Sequence, residues 1–169
     1  NMDYMVYSYL TSMIESMLNT RLEELTQKAD APFIQAFAGD GDYLLSKTKG
    51  AFMGIAAAKE DGILTATEAL MREIERVRQF GFTASEYARA KADYLRSLEV
   101  AYNERDKQRT NSYVKEYVRH FIDNEPIPGI ENEYPLMNQI VPNIPVEAVN
   151  QVVKQLIQEK NIALSVFCP

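Results

Sequence analysis

Asn19-Thr-Arg-Leu-Glu-Glu-Leu-Thr-Gln-Lys-Ala-Asp-Ala-Pro-Phe33 is where a long amphipathic helix gives way to strands, and the fold class turns on that change. Upstream, Val6, Leu10, Met13 and Met17, then Ile14, Leu18, Leu22 and Leu25, recur at steps of three and four and form one broad apolar stripe. The spacing predicts a helix from about Asp3, a plausible N-cap, to Ala29. Asp30-Ala31-Pro32 stops it, because a residue before proline is pushed out of the α region.

Downstream, Phe33 to Ala38 and Gly50 to Ala58 read as strands. Gly39-Asp40-Gly41-Asp42 between them is expected to be a turn, since glycine supplies positive φ and aspartate bonds its own backbone. A calcium or phosphate loop is the competing reading. It lacks the EF-hand spacing, and no helix opens at the glycines. Tyr43 to Lys49 can extend either strand, so the register stays open.

A helix is expected over Leu64 to Phe80, with Leu70, Ile74 and Val77 inward and Gly81 as its stop. Thr83-Ala84-Ser85-Glu86 is a capping box opening a helical region toward Asp123. Tyr87, Tyr94, Leu98 and Ala101 form one stripe there, and Val114, Tyr117, Val118 and Phe121 another. Between them Glu104-Arg105-Asp106-Lys107-Gln108-Arg109 reads as a solvated face or a break between helices, with a partner-docking surface as the alternative. Pro126-Ile127-Pro128-Gly129 closes the region, a short helix fills Glu131 to Ile140, and Pro145 starts another that runs to Lys160. Asn161 is its stop, and Ile162 to Phe167 is expected to insert into the sheet as a short apolar strand. The class that follows is α+β, an antiparallel sheet covered on one face by helices, in one domain over residues 1–169.

Composition excludes several functions. The 169 residues are 46% hydrophobic and 25% charged, with a net charge of −6, which argues against a nucleic-acid partner. No stretch reaches the about 18–20 apolar residues of a membrane span, and no signal-peptide pattern opens the chain. It starts without an initiator Met, directly before a helical pattern, as expected of a piece cut from a longer protein. The single cysteine, Cys168, rules out an internal disulfide and reads as a small core or edge residue.

Catalytic chemistry finds little to work with. A catalytic zinc needs about three protein ligands and an open position. The one histidine, His120, could combine only with carboxylates, of which Glu116 lies at i−4, and a plain partly buried or surface histidine is the better reading. Glu23-Glu24 and Glu73/Glu75 diverge on their helices and are expected to face solvent. Ser46, Ser85 and Ser112 lack a nucleophile elbow. No catalytic or metal-binding residue is assigned.

The leucine-rich helix ending in Met17-Leu18-Asn19-Thr20-Arg21-Leu22, the Asp30-Ala31-Pro32-Phe33 entry to a strand, and Gly81-Phe82-Thr83 with Glu86 and Ala88-Arg89-Ala90-Lys91 resemble, in order, the zinc peptidases of the insulinase (pitrilysin) family, the inverzincins. Tyr102 to Pro135, with Glu125-Pro126-Ile127-Pro128-Gly129-Ile130-Glu131, is similar to the larger periplasmic bacterial type. The resemblance implies the metallopeptidase domain shared with the processing peptidases and LuxS, here lacking its first strand or two. It places the chain as the non-catalytic second domain of the N-terminal half.

Several consequences are implied by that resemblance alone. The parent is a zinc-dependent endopeptidase whose domains close around a peptide. The zinc belongs to a preceding domain, none to this fragment, because the family's His-x-x-Glu-His needs two histidines. The partners are other domains of the same polypeptide and the peptide substrate, and the setting is the periplasm or cell envelope. An inactive relative serving as an assembly module is the alternative. In the family's fourth domain an Arg at the place of Arg21 contacts substrate together with a Tyr. The Tyr has no counterpart, since extra residues precede Phe33. That departure favours a structural role for Arg21, pairing with Glu23 or Glu24 or capping helix carbonyls.

Overall fold

A computed structural model describes residues 2–43, 46–107 and 129–167 and, for 42, 43 and 46–49, the backbone alone. The order is α1 (Met2–Thr26), β1 (Gln35–Tyr43), β2 (Ser46–Ala57), α2 (Ile63–Phe80) and α3 (Ala84–Asn103). A 3₁₀ turn (Arg105–Lys107) follows, then α4 (Ile130–Ile140), a second 3₁₀ turn (Val141–Asn143) and α5 (Val146–Leu156). The chain is α+β, with helices on one face of an antiparallel pair of strands. Val114 to Phe121, His120, Glu116, Gln108, Arg109, Ser112 and Cys168 lie outside the described residues.

The first helix is the centre of the molecule. Tyr9, Met13, Ile14, Met17, Leu18 and Leu22 are all buried, at the three- and four-residue steps read from the sequence. They pack with Val77 of α2, Tyr87 of α3 and Val149 and Val153 of α5 in one apolar cluster. Phe33, fully buried, closes the cluster where the chain turns into β1. The helix ends at Thr26, three residues short of the expected Ala29, and turns carry the chain to Pro32.

The strands pair in one continuous register from Gln35↔Ala57 to Asp42↔Gly50, which shifts at Tyr43↔Ser46. The expected turn at Gly39-Asp40-Gly41-Asp42 is therefore wrong. Those residues are the second half of β1, and neither glycine adopts positive φ. The reason is tertiary. The Ala38 N–H donates to Asn19 Oδ1 at 2.8 Å, Asn19 Nδ2 donates to the Ala38 carbonyl at 2.8 Å, and the Asp40 N–H donates to Glu15 Oε1 at 2.8 Å. Two side chains of α1 thus satisfy the outer edge of β1 and hold it extended, overriding the local turn preference.

On the core side of the hairpin, Ala38 is buried and Ala36, Phe52 and Ala56 pack against the cluster. Gly54 lies close under α2: a Cβ there would come within 2.7 Å of Ile74 Cδ1 and 3.3 Å of Leu70, so those side chains would have to shift. That close approach seats α2 on the strand.

The last expectation for the sheet also fails. Residues 162–167 are not a strand, and Ile162, Leu164, Val166 and Phe167 are all exposed, Phe167 by 94%. The helix before them ends at Leu156 rather than Lys160, and Asn161 turns the chain at φ 59°. Alternation needs a neighbouring strand to become a strand, and none of the described residues pairs with this segment. Removing residues 162–169 is expected to change the unfolding free energy of this chain by less than about 0.5 kcal/mol. A loss of several kcal/mol in urea titration would show that the segment packs in solution.

The charged run resolves into a helix end. α3 stops at Asn103 with Glu104 as its cap, and the 3₁₀ turn follows. Arg105 lies 4.4 Å over the Tyr102 ring and donates to the Tyr102 carbonyl at 2.7 Å. Its Nε is 3.5 Å from Glu131, and Tyr102 stacks on Tyr134 at 4.4 Å. The described part of the run therefore ties α3 to α4.

Candidate functional site

The Thr83–Glu86 capping box forms as the spacing predicts. The Thr83 hydroxyl accepts from the Glu86 N–H, and the Glu86 carboxylate accepts from the Thr83 N–H at 2.8 Å. The same carboxylate is also the partner of Arg21. The guanidinium donates through Nε to Oε1 at 2.6 Å and through Nη2 to Oε2 at 2.9 Å, a two-point pairing across 65 residues of sequence. Arg21 Nη2 reaches the Gly81 carbonyl at 3.3 Å, and the guanidinium lies 5.0 Å from the Phe82 ring centroid.

Arg21 thus pairs with neither Glu23 nor Glu24, both of which face solvent. Glu23, at i+2, diverges from Arg21, and Glu24, at i+3, is within reach of it but faces solvent. The Glu86 end of α3 presents its carboxylate directly to the last turns of α1. The guanidinium holds the Glu86 carboxyl down to about 2, against an ordinary value of 4.5, by hydrogen bonding to its ionised form.

A third helix joins the same junction. The Phe82 N–H donates to Asn150 Oδ1 at 2.8 Å, and Asn150 Nδ2 donates to the Phe82 carbonyl at 3.1 Å. Gly81 stands at φ 68°, ψ −155°, a region closed to side chains, and its N–H caps α2 through the Val77 carbonyl at 2.8 Å. A Cβ at Gly81 would fall 2.4 Å from Asn150 Oδ1. Gly81, Phe82, Thr83 and Glu86 were legible as a helix stop and start. Asn150 was not, because nothing local marks an asparagine that bonds backbone 68 residues away.

Beside this junction a small polar cleft opens between α1 and α2, lined by Arg21, Glu24, Lys28, Glu73, Arg76 and Glu86. Glu73 is buried, contrary to the solvent-facing expectation, and lies 3.6 Å from Arg76. Glu75 is paired with Arg78 and Gln79, and the Arg78 bond pulls its carboxyl down to about 2. Arg21 Nη1 and Glu73 Oε2 are buried without a hydrogen-bond partner. Both signs of charge meet here, but nothing in the arrangement resembles a nucleophile with its base. Ser85 shares a hydroxyl contact with Thr83 at 3.1 Å, a cap interaction.

A deeper polar chain runs through the core. Tyr9 and Tyr87 hydroxyls are 3.0 Å apart, and Tyr87 donates to the Ile144 carbonyl at 3.0 Å, as does Lys91 Nζ at 2.9 Å. Burial raises the Tyr9 and Tyr87 hydroxyls and pushes Tyr94 up to about 12, so all three stay neutral and structural at physiological pH. Among the described residues no three His, Cys, Asp or Glu side chains come together as a metal site. The described residues therefore do not fit a zinc ion, which needs such a convergence, and His120 and Glu116 lie outside them.

No family model matches the chain. Against curated proteins it is 28% identical over 155 residues to a protein from Arabidopsis thaliana described as "Zinc protease PQQL-like". That match covers 89% of this chain and 13% of the relative. Among solved structures it superposes on the periplasmic protease PqqL from Escherichia coli with a TM-score of 0.78 at 21% identity. It superposes on the structure of the first half of that protease with a TM-score of 0.79. Each structural match covers 92% of this chain, but 17% of the whole protease and 33% of its first half. The chain spans about an eighth of the curated relative's length, and sequence and fold point the same way: it is homologous to that PQQL-like zinc protease and has the fold of the matching part of PqqL.

Proposed function

We propose that this chain serves as a non-catalytic domain of a longer zinc-dependent endopeptidase, forming part of the wall of a peptide-enclosing chamber and bracing the domain that holds the metal. The observation that carries the reading is the match to one third of the first half of PqqL, over nearly all of this chain. Its single histidine agrees, since a His-x-x-Glu-His helix needs two. The zinc would sit elsewhere in the longer polypeptide, where it would activate a water for attack on the peptide carbonyl. This chain's part is mechanical: Arg21, Glu86, Gly81 and Asn150 lock three helices at one junction, so the domain moves as a rigid body when the chamber closes.

In this reading Arg21 is structural rather than a substrate contact, since the Glu86 pairing already engages two of its three nitrogens. The periplasmic setting of the solved relative is the setting proposed for the parent. A quenched-fluorescence peptide assay tests the function. The longer polypeptide should cleave, lose activity to a chelator and regain it with zinc, while residues 1–169 alone should not cleave. Cleavage by residues 1–169 alone, or none by the longer polypeptide, would contradict the proposal.

A further inference from the structure

Over residues 36–39 and 51–57 the hairpin is apolar on both faces, with Asp40 and Asp42 further along β1. One face is accounted for by Ala38, Phe52 and Ala56 against the helices. On the other, Phe37 pairs with Ile55, Gly39 with Met53 and Gly41 with Ala51, with no charge among the six. Phe37 is 56% exposed and Ile55 63% exposed. A sheet with one solvated face carries polar side chains on it, whereas a stretch apolar on both faces fits a sheet covered on both sides there. Two strands alone are also marginal in water. The Phe37 ring lies over Gly39, where a Cβ would meet it at 3.2 Å, and beside it Gly41 leaves open space.

We infer that the open face of the hairpin, centred on Phe37 and Ile55, is an interface packed by another segment of the same longer polypeptide. The occupant follows from length: the matched relatives continue well beyond the stretch this chain covers, which is 13% of one and 17% of another. The inference rests on the reading of this chain as part of a longer protein, and not on that protein's being a peptidase.

Side-chain oxidation footprinting of the longer polypeptide tests it, with Phe33 (0% exposed) as the buried reference inside the same domain. In the absence of peptide, labelling of Phe37 should fall to the level of Phe33, and labelling of Met53 should fall with it. Labelling of Phe37 at its exposed rate would overturn the inference. So would protection that appears only when a peptide is added, which would make substrate the occupant, or only at high protein concentration, which would make it a second copy. A longer polypeptide that shows the protection yet binds no zinc and cleaves nothing would sink the proposed function and leave this interface standing.

Discussion

Arg21→Ala is expected to destabilise the chain by about 2–4 kcal/mol, the range for stripping one partner from a largely buried charge pair. The side chains of Arg21 and Glu86 are 12% and 19% exposed, so the carboxylate left behind is poorly hydrated. Loss of the cation–π contact with Phe82 adds to it. Arg21→Lys should recover little, because an ammonium cannot make the two parallel bonds that the guanidinium makes to Glu86. Denaturant unfolding measures both, and a cost for Arg21→Ala under about 0.5 kcal/mol, the level of ordinary surface substitutions, would show the pair contributes nothing.

The pairing also has a pH signature. The Glu86 carboxyl is held at about 2 in the folded chain against an ordinary 4.5. A depressed carboxyl stabilises the fold fully above its unfolded value, and that stability is lost as pH falls from 4.5 toward 2. Glu75 is depressed as well, by Arg78, so the wild type alone does not isolate Glu86. The difference between wild type and Arg21→Ala does: it should be constant above about pH 5 and shrink in acid. A difference that stays flat to pH 2 would mean that Arg21 acts through packing and not through the charge of Glu86.

Gly81→Ala is expected to cost about 3 kcal/mol or more, combining a backbone region closed to L side chains with a direct clash. The new Cβ would meet Asn150 Oδ1 at 2.4 Å and its Cγ at 2.5 Å. Asn150→Ala alone should cost about 1–2 kcal/mol for its two bonds to Phe82. The double variant should be less destabilised than the sum, because removing the amide relieves the clash but not the φ strain. Strict additivity would place the whole cost of Gly81→Ala in the backbone.

The helices were legible because each carries local instructions. The Leu70, Ile74 and Val77 face, the Thr83–Glu86 box and the Pro145 start are all read within a few residues of where they act. The hairpin was half legible. Its strands were apparent, but Gly39 and Gly41 read as turn residues until the α1 side chains Asn19 and Glu15 were seen to hold β1 open through its backbone. The tail failed for the opposite reason: Ile162, Leu164 and Val166 alternate as a strand should, and nothing among the described residues pairs with them. At the junction, Arg21 was singled out, but its partner Glu86 lies 65 residues away. Asn150 carried no local mark at all. Long-range polar pairings of this kind are set by the packed geometry of three helices, which no single stretch encodes.

Zinc stoichiometry by elemental analysis, run after dialysis on residues 1–169 and on the longer polypeptide, tests the central claim most directly. The account predicts one zinc per longer chain and none on residues 1–169 alone. One tightly held zinc on residues 1–169, lost on His120→Ala, would contradict it, and so would a longer polypeptide that holds no zinc.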